Sequence, residues 1–233
     1  LERVHGVRVT YVPVHANGAL NMNALAEAIL PTTALVSVMW ANNETGVIFP
    51  VKEISLLCKE RGVAFHSDAS QIAGKVTIDI SQTPIDYLTI TGHKFGAPKG
   101  VGALHVSRTA NFTQLLHGGH QEQGLRGGTE AVAAIVALGK AAQIASKKIA
   151  QYEAYVSVLR DELELGILSQ VPDSWVNGDV NQRLANTTNI SFDGVTSEAL
   201  LLLLDQAGVC ASSGSACMAL SDEPSYVIEA MAG

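Results

Sequence analysis

Four short polar segments follow apolar stretches of the chain, and each contains side chains suited to chemistry. They are "NNETG" (42–46), "SDASQ" (67–71), "TGHK" (91–94) and "SSGSAC" (212–217). In open α/β sheets ligands bind beyond the carboxyl ends of the strands, so we expect these segments to converge on one crevice. The candidate side chains are those of Asn43, Asp68, Gln71, His93, Lys94 and Cys217.

An amine and a carboxylate at separate strand ends suit a carbonyl cofactor. A lysine can form a Schiff base with the carbonyl, and an acid can hold a ring nitrogen protonated. Pyridoxal phosphate has both requirements. The alternative is that each polar residue serves only its own turn, because Asn, Asp, Ser and Gly are the usual residues of loops. Four such segments together favour the functional interpretation.

The elements around these segments follow an α/β pattern. A nearly continuous apolar run at 32–41 predicts a buried strand, and the segment 51–62 places Ile54, Leu57 and Cys58 on one helical face before a glycine. Further short strands are predicted at 63–67, 86–91 and 101–106. We therefore expect an α/β fold with a mainly parallel sheet flanked by helices.

The second half of the chain predicts a smaller α/β unit. From Thr129 an alanine-rich stretch predicts one long helix or two, beginning at a threonine cap. A strand at "NTTNISFDG", a capped helix at "TSEALLLLLDQAG" and a strand at "VCASS" follow in that order. We predict a large domain over residues 1–145 and a small domain over residues 146–233.

Composition limits the classes of partner. The 233 residues are 47% hydrophobic, enough for a sizeable core, and the net charge of −7 offers no general attraction for nucleic acid or an anionic membrane. Small molecules and proteins are the expected partners. The chain has three cysteines and no CxxC pair, which predicts neither a disulfide framework nor a metal site and fits a reducing cytoplasm. No apolar run is long enough to span a bilayer.

Five segments resemble, in order, the motifs of the pyridoxal-phosphate cysteine desulfurases of the class V aminotransferase superfamily. They are "ANNETGV" (41–47), "HSDASQ" (66–71), "GHKFGAPKGVGAL" (92–104), "RGGTE" (126–130) and "SSGSACMALSDEPSYV" (212–227). The resemblance runs nearly end to end. It implies the pyridoxal-phosphate transferase fold of type I and a homodimer with pyridoxal 5'-phosphate as cofactor.

The same resemblance implies individual roles. Lys94 occupies the Schiff-base position, whereas Lys99 lies in a glycine-rich turn and is expected to be solvated or structural. Asp68 matches the acid that pairs with the pyridine nitrogen. The remaining implied contacts are with the ring hydroxyl (Asn43 and Gln71) and the phosphate (Thr91, His93 and, from the neighbouring subunit, Thr129). Helix capping is an equal alternative explanation for Thr129.

The three cysteines are expected to differ in role. Cys58 lies at helical spacing among apolar residues and is predicted to be a core residue, and Cys210 is predicted to be buried at a strand end. Cys217 lies in a loop of small residues that favours exposure. By resemblance Cys217 is the nucleophile that attacks the sulfur of cofactor-bound L-cysteine, leaving alanine and an enzyme persulfide. The sequence does not identify the base that generates its thiolate.

The implied function is a cysteine desulfurase that delivers sulfur to a protein acceptor or scaffold. "SSGSAC" resembles the forms of iron-sulfur cluster assembly and tRNA thiolation, whereas Gly96-Ala97 in "HKFGAPKG" resembles the desulfurases of DNA phosphorothioation. The acceptor pathway therefore stays open. Two alternatives are a truncated, non-catalytic binding or carrier module and a selenocysteine lyase or other class V lyase.

The sequence also departs from the family pattern. Family members begin well upstream of what matches Leu1, with a phosphate-binding glycine-threonine turn and a histidine that stacks on the ring. They also extend past residue 233 to an arginine that binds the substrate carboxylate. We expect these parts to be missing here. His120 stands where glycine is usual, and Gln123 stands where arginine is usual.

Overall fold

The computed structural model describes residues 2–214 and 224–232. The chain forms two compact units that interleave along the sequence. We call the unit of Thr32–Ala41 and Phe49–Val156 the sheet unit. The terminal unit comprises Leu1–Pro31, Asn42–Ile48 and Ser157–Gly233. The predicted division into domains 1–145 and 146–233 stays a prediction.

The sheet unit contains a four-stranded sheet in the order β1-β2-β3-β4. Its strands are β1 (Leu35–Met39), β2 (Ala64–Asp68), β3 (Tyr87–Thr91) and β4 (Gly102–Val106). Strands β1, β2 and β3 are parallel, and β4 is antiparallel to β3. The prediction of a mainly parallel sheet is confirmed.

The helix α3 (Val51–Arg61) connects β1 to β2 and buries one face. Ile54 and Cys58 are completely buried, four residues apart, as is expected for one side of a helix. Gly62 ends α3 with a left-handed φ of 68° that lets its N–H reach the carbonyls of Cys58 and Lys59. The predicted helix, its terminal glycine and the core position of Cys58 are confirmed.

A 3₁₀ turn, Gly92–Phe95, follows β3 and contacts α4 (Val132–Ser146). A Cβ atom at Gly92 would lie 2.9 Å from both the Leu138 Cδ1 and the carbonyl oxygen of Val101. Only a residue without a side chain allows this approach. Leu138 is buried here in a small apolar cluster with Ala97. The packing of α4 therefore supports the turn that carries His93 and Lys94.

The long helical region consists of two helices, α4 and α5 (Ile149–Gln170). The predicted threonine cap at Thr129 is wrong. The N-cap of α4 is Ala131, which makes no side-chain cap bond, and Thr129 lies outside the helix. The alanine-rich composition predicts helix well, but it does not define the first turn. Capping therefore no longer explains Thr129.

The terminal unit contains the short helices α1 (Glu2–His5) and α2 (Met22–Ala28). Its later elements are the antiparallel pair β5 (Ser174–Val176) and β6 (Ile190–Phe192), then α6 (Ser197–Gln206) and α7 (Tyr226–Ala232). The predicted strand is confirmed as β6. The predicted capped helix is confirmed as α6, because the Thr196 hydroxyl accepts a hydrogen bond from the Ala199 N–H at 3.3 Å.

The predicted strand at "VCASS" is wrong. The N–H groups of Gly208 and Val209 donate back to the carbonyls of Asp205 and Leu204, which is the hydrogen-bond pattern of a Schellman helix end. The chain after α6 is therefore folded against its own helix instead of pairing in a sheet. Cys210, predicted to be buried at a strand end, is exposed.

Among the described helices, none combines the length and apolar character needed to cross a membrane.

Candidate functional site

The carboxyl ends of β2 and β3 place the predicted acid and amine at the same edge of the sheet. Asp68, the last residue of β2, is in register with Thr89 of β3. Thr91 ends β3 two residues later, about 7 Å further along the strand. The 3₁₀ turn with His93 and Lys94 begins at the next residue. The segments after β2 and β3 therefore lie at one edge of the sheet. The predicted convergence of all four polar segments on one crevice stays a prediction.

Local hydrogen bonds fix the position of Asp68. Its Oδ1 accepts a hydrogen bond from the Ser70 N–H at 2.8 Å, and its carbonyl accepts one from the Trp40 N–H at 2.8 Å. The Ala69 N–H donates across to the Thr89 carbonyl. The side chain nevertheless remains exposed. The structure thus presents an oriented carboxylate at the edge of the sheet.

A hydroxyl pair connects the two loops at this edge. The Ser70 Oγ and the Thr91 Oγ1 lie 2.8 Å apart, and either hydroxyl can be the donor. The neighbouring Gln71 is half-buried, and its backbone carbonyl accepts a hydrogen bond from the Lys75 Nζ at 2.8 Å. The hydroxyl pair joins the segment after β2 to the end of β3, and the Lys75 bond lies within the segment after β2.

The imidazole of His66, two residues before Asp68 in β2, contacts both neighbouring strands on the same face of the sheet. The His66 Nδ1 lies 2.7 Å from the Ser37 Oγ, and its Nε2 lies 3.0 Å from the Thr89 Oγ1. Burial lowers the pKa of His66, and the nearby charge of Asp68 opposes this effect. The sequence interpretation did not single out His66. The period-2 alternation of β2, which puts residues 66 and 68 on one face, was the available signal.

A cavity of about 310 Å³ lies beside the Lys94 turn. It is lined by Gly74, Lys75, Lys94, Phe95, Gly96, Ala145, Lys148 and Tyr152. Burial, and then the charge of Lys94, lower the pKa of Lys75. Burial also raises the pKa of Tyr152. Lys75 was not among the predicted site residues, and no local pattern in the sequence indicates it, because residues 70–75 form turns.

The structure describes most of the predicted site residues, and six of them belong to the sheet unit. Within the sheet unit, one edge holds Asp68, Gln71, Thr91, His93 and Lys94. Thr129 is exposed, and Asn43 belongs to the terminal unit. Cys217 lies outside the described residues. The chemical roles assigned to all of these residues remain predictions.

Asn43 lies in a tightly bonded turn of the terminal unit. The Asn42 Oδ1 accepts hydrogen bonds from the N–H groups of Glu44 and Thr45, each at 2.9 Å, and from the Thr45 hydroxyl at 3.2 Å. Gly46 has a φ of +77°, and a Cβ there would lie 2.7 Å from the Thr187 Cβ. These hydrogen bonds and the close approach of Thr187 constrain the backbone of the turn that carries Asn43.

Comparisons with known proteins agree with this architecture. The family model of the class-V aminotransferases matches residues 1–233. A cysteine desulfurase from Gluconacetobacter diazotrophicus is 48% identical over 99% of this chain and 58% of its own length. A cysteine desulfurase from a Nostoc species is 51% identical over 97% of this chain and 56% of its own length.

The fold also matches a solved structure. A NifS-like protein superposes with a TM-score of 0.90 at 31% identity, over 99% of this chain and 60% of that one. The match confirms the expected pyridoxal-phosphate transferase fold of type I. The chain thus spans a little over half the length of the curated relatives that it matches. Because the family model matches residues 1–233, the chain belongs to the class-V aminotransferase family.

Proposed function

We propose that this protein is a pyridoxal-phosphate-dependent cysteine desulfurase. The observation that carries the proposal is the sheet edge where Asp68 and the Lys94 turn follow adjacent strands in register. Two relatives about half identical to the chain bear the name cysteine desulfurase. The alternatives of a selenocysteine lyase and of a non-catalytic module have no comparable support.

The chemistry of the donor set fits the family's cofactor, pyridoxal 5'-phosphate. The edge supplies an amine at Lys94, a carboxylate at Asp68 and a hydroxyl at Thr91. When bound, the cofactor supplies an aldehyde that takes up amines and a ring that accepts electrons from the substrate carbon. An amine, an acid and hydroxyl donors are the groups that an aromatic aldehyde phosphate needs.

Asp68 is proposed to hold the pyridine nitrogen in its protonated form. A carboxylate next to that nitrogen favours the charged ring by charge pairing. The Ser70 N–H occupies one oxygen of Asp68 and so orients the other. Lys94 is proposed to hold the cofactor covalently and then to move protons on the substrate with its free amine.

The other predicted contacts complete the proposal. Thr91 and His93 would bind the phosphate, since both lie at the end of β3. Gln71 and Asn43 would contact the ring hydroxyl. Thr129 would reach the phosphate of a second subunit, which requires a homodimer. We also propose a cytoplasmic location.

Cys217 is the proposed sulfur acceptor of the protein. Its thiolate attacks the sulfur of L-cysteine, so that an S–S bond forms as the C–S bond of the substrate breaks. The substrate carbon takes a proton and leaves as L-alanine, and the enzyme retains a persulfide. The terminal sulfur then passes to a protein acceptor of iron-sulfur cluster assembly, tRNA thiolation or DNA phosphorothioation.

The test is a matched pair of lysine variants. The purified protein is incubated with pyridoxal phosphate, reduced with borohydride and digested, and the modified peptide is located by mass spectrometry. Lys94→Ala is expected to lose the adduct, whereas Lys99→Ala, five residues away in the same turn region, is expected to keep it. An adduct that persists in Lys94→Ala, or that is absent from the wild type, refutes the assignment.

Sulfur transfer is tested in the same preparation. Cys217→Ser is expected to retain the cofactor absorbance while releasing no sulfide from L-cysteine under reducing conditions. A parallel Cys210→Ser variant, which changes an exposed thiol, should release sulfide at the wild-type rate. Sulfide release by Cys217→Ser at that same rate would exclude Cys217 as the acceptor.

A further inference from the structure

Residues 42–47, which we call the Asn43 turn, lie almost entirely inside the terminal unit. Asn43 is half-buried, whereas the other five residues of the turn are buried. Thr45 and Val47 are each only 1% exposed. A side chain at Asn43 is therefore the one part of the turn with substantial access to a ligand. Any shift of the buried backbone on either side moves the Asn43 amide with it.

Main-chain hydrogen bonds join the Asn43 turn to the segment that contains Arg183. Val47 and Arg183 form an antiparallel β-bridge. The Leu184 N–H donates to the Gly46 carbonyl at 2.9 Å, and a second bond of 2.8 Å, from the Ile48 N–H, lies on the other side of the bridge. The Val47 carbonyl also closes the turn by accepting an N–H at 2.9 Å from the first residue of the turn. The position of Arg183 is thus transmitted to the turn through main-chain bonds.

Two side chains of α5, four residues apart, bind the same segment. The Glu164 carboxylate accepts hydrogen bonds from the two Nη atoms of Arg183 at 2.7 and 2.9 Å and from the Thr188 hydroxyl at 2.6 Å. The Arg160 Nη1 donates to the Leu184 carbonyl at 3.1 Å. Residues four apart lie on one face of a helix, so both contacts come from the same side of α5.

The ion pair is better suited to fixing a position than to adding stability. The side chains of Arg183 and Glu164 are only 3% and 11% exposed, so both charges have lost most of their hydration. Two apolar residues in their place would often give a fold of similar stability. The two parallel N–H···O bonds, in contrast, set both the distance and the direction of the guanidinium group. An apolar pair has no such directional contact.

We propose that Arg183 is a positioning residue for Asn43, because its contact with Glu164 fixes the segment to which the Asn43 turn is hydrogen-bonded. The inference rests on the proposed function for the contact between Asn43 and the cofactor, but not for the mechanical connection from Arg183 to the turn. Arg183 itself touches neither substrate nor cofactor. It acts through the β-bridge to Val47.

The first test measures the turn in the full chain before any cofactor is added. Amide hydrogen exchange is followed by NMR at Ile48 and Leu184, whose N–H groups flank the bridge. Arg183→Lys keeps the charge and loses the two-bond contact. The double variant Glu164→Leu/Arg183→Leu removes both charges together and avoids an unpaired buried ion. Glu162→Leu, at an exposed position of α5, is the matched control.

Exchange at both amides should be faster by about threefold or more in Arg183→Lys and in the double variant, and unchanged in Glu162→Leu. The amides of β2, in the sheet unit, should exchange as in the wild type. Rates at Ile48 and Leu184 that match Glu162→Leu would refute the mechanical connection. A uniform rise that includes β2 would also refute it, because general loosening of the fold then explains the change.

The second test asks whether Arg183 acts on the cofactor through Asn43. The dissociation constant of pyridoxal phosphate is measured by absorbance titration for the wild type, Arg183→Lys, Asn43→Ala and the variant with both changes. Arg183→Lys alone is expected to weaken binding by about threefold or more. In the Asn43→Ala background, Arg183→Lys should have no further effect. Independent, multiplying effects of the two substitutions would refute the positioning role.

Failure of this inference can be distinguished from failure of the proposed function. If the wild type binds no pyridoxal phosphate, the proposed function fails, and the exchange rates still decide whether Arg183 fixes the Asn43 turn. If the cofactor binds the wild type but Asn43→Ala and Arg183→Lys both bind it with unchanged affinity, the desulfurase proposal stands and the positioning role is refuted.

Discussion

Glu164 and Arg183 form a buried ion pair whose energetics can be tested by a double-mutant cycle. The Arg183 Nη1 and Nη2 donate to the two carboxylate oxygens of Glu164 at 2.7 and 2.9 Å. The Thr188 hydroxyl donates to the same carboxylate at 2.6 Å. The side chains of Arg183 and Glu164 are only 3% and 11% exposed. The pair connects α5 to the segment before β6.

Removing one partner should be far more costly than removing both. Glu164→Leu would leave the Arg183 guanidinium buried, with the partly exposed Asp161 at 3.9 Å as its remaining acidic neighbour among the described ion pairs. The Arg183 Nε also lacks a hydrogen-bond partner within the described part of the chain. Breaking a buried pair costs about 3 to 5 kcal/mol, whereas replacing both members by apolar residues is often close to neutral.

The assay is urea unfolding of the wild type, Glu164→Leu, Arg183→Leu and the double variant, followed by circular dichroism. Glu162→Leu, on the exposed side of α5, is the control and should change the free energy of unfolding by less than about 0.5 kcal/mol. We expect the double variant to be more stable than either single variant. Additive losses in the double variant would refute the reasoning, since independent sites add.

The pH dependence supplies a second check on the same pair. Hydrogen bonds from Arg183 are the largest cause that holds the pKa of Glu164 below its usual range. The Thr188 hydrogen bond and the charges of Arg183 and Arg160 act in the same direction, whereas burial opposes them. A lowered pKa in the folded state stabilises the protein above the unfolded-state pKa of about 4.3. This stabilisation is lost as the pH falls through the folded-state pKa. The stability difference between wild type and Glu164→Leu should therefore shrink in acid.

Two further predictions concern the sheet unit. Gly92→Ala should lower the free energy of unfolding by about 1 to 3 kcal/mol, because its Cβ would lie 2.9 Å from three neighbouring atoms. Gly139→Ala in α4, whose Cβ would have no atom within 4 Å, should raise the free energy of unfolding by about 0.5 to 1 kcal/mol in the same urea assay. Equal effects of the two substitutions would contradict the packing of α4 on the Lys94 turn. Burial and then the charge of Asp86 raise the pKa of Cys58 to about 11, so native protein at neutral pH should be alkylated at Cys210 long before Cys58. Equal rates at the two thiols would show that the α3 core opens readily.

Local signals predicted the elements of the fold well. The apolar spacing of α3 and the glycine that ends it act within a few residues, so they can be recognised without tertiary information. The same holds for the Thr196 cap of α6. The rule that ligands bind at the carboxyl ends of parallel strands then placed Asp68 and Lys94 at a common edge.

Predictions failed where a local pattern had more than one outcome. Thr129 is a good capping residue, but the helix begins after Ala131 instead. Val209 and Cys210 have the composition of a strand, yet Val209 donates back to Leu204 at the end of α6. Propensity describes what a segment can form, and competing hydrogen bonds decide what it does form.

By itself the sequence predicted most of the element types, the mainly parallel sheet and the resemblance of its motifs to a known family. Only the tertiary structure decided which distant side chains meet. The His66 bridge between Ser37 and Thr89, the cavity shared by Lys75 and Lys94 and the bond from Ser225 to Glu44 all join segments far apart in the chain. Such contacts depend on packing and register across elements, which periodicity and propensity within one segment do not encode.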